Sequence, residues 1–300
     1  MSALAVLLVG LAGGIVIRRR GGLAADAPRV INLWVLDIAL PALTLHVLHG
    51  VDFPSNVGLV LLAPYLLFAV TAALHLAAGR LLRLSREVVA VLVATTAVAN
   101  TSFVGIPMVT AFFGAQWVPV ALLVDQLGSY LLLNTVVLTA VTAVAGARPQ
   151  PRAVARQVLA TPALVALVAA LLLRPVTFPQ WLDEALAALG ATLTPLALFS
   201  IGLQLRLGAA RQWRTALVLG LAVKLAVAPL LVVGGYALLG ALDDPAVRVA
   251  VFETAMPPMV AGAIIASRHN LAPGLPSMLV GLGVPLSLVT LAIWSVPLHP

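Results

Sequence analysis

A long apolar stretch is interrupted by polar and helix-breaking residues of types that do chemistry, in the run Asn100-Thr101-Ser102-Phe103-Val104-Gly105-Ile106-Pro107. A second interruption, Glu253-Thr254-Ala255-Met256-Pro257-Pro258, lies in the other half of the chain. Breaking a helix frees backbone amides and turns a positive dipole end into the gap, which suits a carboxylate. Asn100, Thr101, Ser102 and Gly105, together with Met256, Pro257 and Pro258, are therefore candidate substrate-binding residues. Pro107 and Pro257 are suited to opening second half-helices, since proline is tolerated in a first turn. A packing role explains each residue singly: Asn or Ser bonding between helices, Pro kinking them. Two breaks at corresponding places in two halves point instead to a transporter's central site.

Span 5, named below, adds Asp125, Gln126 and Tyr130. An isolated carboxylate about 12 Å inside a membrane at 1.5 Å per residue is costly. Facing an anion, Asp125 would have to be protonated or paired, so it suits proton coupling better than direct anion contact. Bonding to a hydroxyl or backbone amide is the competing reading. Lys224 and Glu253 are the other deep charges, and neither stays ionised alone in hydrocarbon. They are expected to pair and brace the second break, with a coupling-ion role as the alternative. Asp37 is expected to be an interfacial or scaffold group. Thr44 and His46 are expected to line the scaffold side of the pathway. His75 and His269 should lie near helix ends without chemistry.

These residues need elements to hold them. The chain has 300 residues, 62% hydrophobic and 9% charged, with a mean hydropathy of +1.12. Charged residues make up about a quarter of an ordinary globular sequence, so this is an all-α polytopic membrane protein. A membrane helix needs about 20 mainly apolar residues. Breaks at charges, Gly and Pro define ten spans, at roughly 2–17, 30–48, 55–79, 87–112, 117–145, 157–174, 182–205, 213–240, 246–267 and 275–297. Asn100 then lies about 20 Å into span 4, near the bilayer centre.

Loop charges test this division, because Lys and Arg accumulate in cytoplasmic loops. Arg18, Arg19, Arg20 and Arg29 follow span 1; Arg80, Arg83 and Arg86 follow span 3; Arg148, Arg152 and Arg156 follow span 5. Arg206, Arg211 and Arg214 follow span 7, and Arg268 follows span 9. The alternate loops hold Asp52, Asp183, Glu184, Asp243 and Asp244, with Arg174 and Arg248 as their basic members. Both termini are expected outside, in a multi-pass protein of the plasma (inner) membrane. The net charge of +7 is explained by these loops, and a nucleic-acid partner is not expected. The apolar run precedes Arg18, the reverse of a signal peptide. There is no Cys, which excludes disulfides and thiolate metal sites. No cofactor or metal is expected.

Five spans per half is an odd number, so a duplicated second half would insert inverted. Pro41-Ala42-Leu43 matches the place of Pro195-Leu196-Ala197, and Ala99 to Val104 can be laid over Ala255 to Val260. The expected halves are 1–145 and 146–300.

The pattern Asn-x-x-Phe-x-Gly-x-Pro, from Asn100 to Pro107, resembles the fourth-helix motif of the auxin efflux carrier family. That family includes plant auxin carriers and bacterial permeases described for malate or malonate. Residues 10–43, Glu253 to Pro257 and Ser277 to Pro297 agree, so the resemblance covers essentially the whole chain. It implies two inverted five-helix repeats, a scaffold of spans 1, 2, 6 and 7, and a mobile core of spans 3–5 and 8–10. In that core the unwound spans 4 and 9 cross, and Gln126 and Tyr130 face the crossover. It also implies homodimerisation through the scaffold and an elevator-like motion. Family members often carry Pro beside the Asn, whereas Thr101 stands here, so the two crossovers should differ.

The leading reading is a secondary transporter of small organic anions, not an enzyme. A sodium- or proton-coupled exchanger or symporter of the same architecture is the alternative. No Walker motif supports a primary pump. Asp37 and Asp125 lack the contexts of an intramembrane aspartyl protease. A non-transporting receptor would not need two matched breaks. The topology has a direct test in this Cys-free chain. Single cysteines at positions 52 and 243 should label from outside intact cells, and those at 84 and 209 only after permeabilisation. The reverse pattern would overturn the orientation.

Overall fold

The computed structural model describes residues 2–21, 23–24, 26–51, 55–148, 150–205 and 211–300, with side chains from residue 5 onward. Asp52 and Arg206, counted among the loop charges, lie outside the described residues. Helices account for nearly all the rest: α1 (Ser2–Arg20), α2 (Ala27–Leu48), α3 (Val57–Leu81), α4 (Arg86–Thr96) and α5 (Thr101–Phe112). They continue as α6 (Ala115–Val144), α7 (Pro151–Leu159), α8 (Pro162–Leu172) and α9 (Gln180–Gln204). The last are α10 (Arg211–Leu238), α11 (Pro245–Thr254), α12 (Val260–Arg268) and α13 (Leu275–Ser295). Among the described residues there is no β-strand, only one isolated bridge between Ala99 and Pro258.

Among the described residues, six helices are long and apolar enough to cross a bilayer: α2, α3, α6, α9, α10 and α13. The bent pair α7–α8 makes a seventh if it is one span. Where the sequence suggests spans 4 and 9, each stretch is split into two short helices, neither long enough to cross alone. The count of ten is thus reached by length and composition only in part. The N-terminus of span 6 also differs from expectation. Arg152 and Arg156 sit on a helix that starts at Pro151 and turns by 56° between Leu159 and Pro162. Pro151 fits a first turn, and Pro162 has no N–H with which to carry α7 straight on.

Local chemistry sets several ends. Ser85 caps α4 by accepting from the Val88 amide at 3.3 Å. Asp244 caps α11 by accepting from the Ala246 and Val247 amides, with Pro245 in the first turn. Gly240 ends α10 at φ +64°, in the left-handed region that glycine enters at no steric cost.

Two packing groups emerge. α1 lies along α9, and α2 packs on α8 and α9. Elsewhere α3 packs on α6, α10 and α11, while α12 and α13 pack on α4. Small residues allow the closest approaches, as expected where lipid supplies no hydrophobic drive between helices. A Cβ on Gly14 of α1 would stand 2.2 Å from the Phe199 carbonyl oxygen, and one on Gly202 of α9 2.4 Å from that of Leu11. A Cβ on Gly262 of α12 would stand 1.9 Å from the Ala94 carbonyl oxygen of α4.

Because that oxygen is backbone, it cannot swing away. Gly262→Ala should therefore cost about 1–3 kcal/mol, read as a lowered melting temperature in detergent. Gly58→Ala, where nothing lies within 4 Å, should leave it nearly unchanged.

Candidate functional site

The two interruptions meet. The Asn100 amide donates to the Pro257 carbonyl at 3.1 Å, and the Met259 amide donates to the Thr95 carbonyl at 2.7 Å. Each unwound segment thus satisfies the backbone of the other, antiparallel across Ala99 and Pro258. Hydrocarbon cannot supply those partners. The first break falls at Ala97–Asn100, so Thr101 onward is already helical. A widened π-turn covers Thr101–Gly105 and closes with the Ile106 amide on the Thr101 carbonyl, just before Pro107, which has no N–H to give. Pro107 opens the regular part of α5. Pro257 does not open α12: that helix begins at Val260, and Pro257 supplies a carbonyl to Asn100 instead. Pro258 packs against Gly283 of α13, where a Cβ would stand 2.5 Å from the proline ring.

Beside this crossing lies a cavity of about 1180 Å³. One wall comes from α1, α2, α7, α8 and α9, the other from α5, α6 and α12. Asn100, Ser102, Asp125, Gln126 and Tyr130 border it. Thr101, Gly105, Met256, Pro257 and Pro258 do not; they are buried in the crossing itself, and Met259 is the second crossover's contribution to the wall. Arg18, Arg29 and Arg268, at the Arg-bearing ends of α1, α2 and α12, also border it. So does His269, and Asp37 borders the cavity rather than serving the scaffold alone.

The wall chemistry is mostly neutral. Asn100 is fully buried, and neither its amide nitrogen nor its oxygen has a hydrogen-bond partner. An orphaned amide at a buried site is costly unless something binds it. It stands at the N-terminal, positive end of α5. Asp125 Oδ1 accepts from Thr101 Oγ1 at 2.5 Å and from Ser102 Oγ. That carboxylate therefore ties the first crossover to α6. Gln126 Nε2 donates to Thr44 Oγ1 of α2 at 2.6 Å, and the Tyr130 hydroxyl bonds Thr161 Oγ1 at the start of α8. His46 does not reach the cavity; its Nδ1 lies 2.7 Å from Asp183 Oδ1 of α9. His75 lies in the last two turns of α3, as expected, but is fully buried, with Nε2 at 2.6 Å from Thr96 Oγ1, because α4 packs against α3.

Lys224 and Glu253 are both fully buried but form no ion pair within 4.0 Å. Lys224 Nζ donates to the Thr254 carbonyl at 3.1 Å, at the negative C-terminal end of α11. Glu253 packs on Gly105, and both of its carboxylate oxygens lack hydrogen-bond partners. Sequence reading passed over Asn134, which borders the cavity and donates to the Tyr130 carbonyl at 3.0 Å. Its signal was the spacing Gln126, Tyr130, Asn134, four residues apart on one helix face. Asn32, which accepts from Ser200 Oγ at 2.5 Å, was also passed over.

The contact between Gly105 and Glu253 has a measurable consequence. A Cβ at residue 105 would stand 2.2 Å from Glu253 Oε2. Gly105→Ala should destabilise by about 1–3 kcal/mol. Combining it with Glu253→Ala should cost less than the sum of the two, by about 0.5–3 kcal/mol in a double-mutant cycle. Additivity would mean the carboxylate is not held against this glycine.

A family model described as Membrane transport protein matches residues 1–295. An uncharacterized transporter from Methanothermobacter thermautotrophicus (strain ATCC 29096 / DSM 1053 / JCM 10044 / NBRC 100330 / Delta H) is 26% identical over 303 residues, covering 99% of this chain and 97% of that protein. With two paired helix breaks beside a cavity bordered by Asn100, Asp125 and Gln126, and a family match running nearly end to end, the chain belongs to the membrane transport protein family, that of the auxin efflux carriers.

Proposed function

We propose that this membrane transporter is a secondary carrier of small organic anions, carboxylates, bound where the two broken helices cross. The observation that carries the reading is Asn100: a buried amide with neither polar atom paired, at the N-terminal end of α5 and on the wall of the cavity. An anion's carboxylate takes the amide N–H and the dipole of that helix end. The arginines that border the cavity draw anions in by their field.

The packing supports an elevator-type motion. α1, α2, α8 and α9 form one group, and α3, α4, α6 and α10–α13 form another, with the cavity between them. In this reading the first group is a scaffold through which a homodimer forms, and the second carries the substrate. The halves 1–145 and 146–300 are inverted repeats, and spans 4 and 9 complete ten crossings. With the Arg-rich loops inside the plasma membrane and both termini outside, the cavity opens to the cytoplasm. Sodium or proton coupling is the second reading, favoured by the unpaired Glu253 carboxylate and by Asp125 beside the site.

Asn100→Ala tests the reading. Losing one hydrogen bond to a charged ligand is worth about 1.5–3 kcal/mol. Uptake of carboxylates below saturation, and their stabilisation of purified protein, should fall about tenfold or more while the chain remains folded. Wild-type uptake in this variant would move the site elsewhere. Uptake that needs sodium or a pH gradient and no organic anion would favour the exchanger.

A further inference from the structure

The orientation of the Gln126 side-chain amide follows from hydrogen-bond accounting. Thr44 Oγ1 donates its one proton to the Leu40 carbonyl, four residues back in α2, at 2.8 Å. A hydroxyl has one donor and two acceptor sites, so toward Gln126 Thr44 can only accept. The NH₂ of Gln126 must therefore face Thr44, at 2.6 Å. Its carbonyl oxygen, Oε1, must point elsewhere. That oxygen has no partner, although Gln126 is buried and borders the cavity. Asn100 borders the same cavity with its own amide unpaired. Among the described residues the cations that border the cavity are Arg18, Arg29 and Arg268, from α1, α2 and α12; Lys224 at the crossing does not border it and is turned to the Thr254 carbonyl.

We infer that the substrate is a carboxylate bearing a hydrogen-bond donor, a hydroxyl or an N–H, which Gln126 Oε1 accepts, and that Thr44 sets this specificity by fixing the Gln126 amide. The inference rests on the carboxylate reading of the same site. Asn100 receives the carboxylate, and Gln126 reads the donor. A ligand without the donor leaves a buried acceptor unpaired, which a site built for hydrogen bonding rejects. Thr44 does not border the cavity; it is a positioning residue.

The test uses matched acids that differ only at the donor: lactate and propionate, malate and succinate, pyrrole-2-carboxylate and furan-2-carboxylate. Affinities are read by thermal shift and by competition for uptake on the intact chain in detergent and in vesicles. Wild type should favour the donor-bearing member of at least one pair by about tenfold or more. Thr44→Val frees the amide to turn, so the preference should shrink several-fold while the donor-lacking acid gains. Thr44→Ser keeps the accepting oxygen and should keep the preference, which a merely structural role for Thr44 would not require. Equal binding within every pair in wild type overturns the inference and leaves the carboxylate reading standing. An unchanged preference in Thr44→Val overturns the positioning role. If none of the six acids binds, the carboxylate reading falls, and this inference with it.

Discussion

Two backbone hydrogen bonds, Asn100 N–H to Pro257 and Met259 N–H to Thr95, are the constraint around which the rest of the molecule is arranged. A helix interrupted inside hydrocarbon leaves amides and carbonyls that lipid cannot satisfy. One interruption alone would be strongly destabilising. Two that cross can satisfy each other, and the crossing then positions everything else. It brings the N-terminal end of α5 and the Asn100 amide together with the last turn of α11. It also requires glycine where the segments come closest, at Gly105 against Glu253, Gly262 against Ala94 and Gly283 against Pro258.

The charges near the crossing are each tied to a particular piece of it. Asp125 takes the Thr101 and Ser102 hydroxyls and so joins α5 to α6. Lys224 places its amino group as a donor at the C-terminal carbonyl end of α11. Glu253 is left with both oxygens unpaired against Gly105. Widened turns occur at many of these residues: over Thr101–Gly105, over Val124–Ser129 with Asp125 and Gln126, and over Val223–Val227 with Lys224. Such turns commonly mark functional positions in helices, because they re-aim a side chain without ending the helix.

The hydrogen bonds of α6 with the other packing group have a different character. Gln126 reaches Thr44 and Tyr130 reaches Thr161, one bond each to α2 and to the start of α8. By contrast, α1 and α9 meet glycine to backbone, with no room for a side chain between them. Contacts of the second kind are hard to slide; contacts of the first kind break and reform singly. The cavity lies along the boundary that the single bonds cross, so the groups that hold the two parts together are also on or beside its wall.

Much of this was legible in the sequence. Composition and hydropathy point to a membrane protein, with 62% apolar content and 9% charge, and apolar runs of about 20 residues make it helical rather than a barrel of short alternating strands. The breaks at Asn100 and Pro257 were visible because polar and helix-breaking residues are costly within apolar runs. Asn100 and Asp125 stood out by the same cost, and the family resemblance singled out Gln126 and Tyr130; all four border the cavity. Only the tertiary structure decided what each does. Pairing the breaks turned Pro257 from a helix opener into an acceptor and moved Met256, Pro257 and Pro258 off the cavity wall. Lys224 met a carbonyl rather than Glu253, since a helix end offered it a partner that charge counting does not reveal. The facing of Gln126 depends on a hydroxyl 82 residues away. Periodicity and composition carry information about a segment and its solvent; they carry none about which distant segment supplies the missing hydrogen bond.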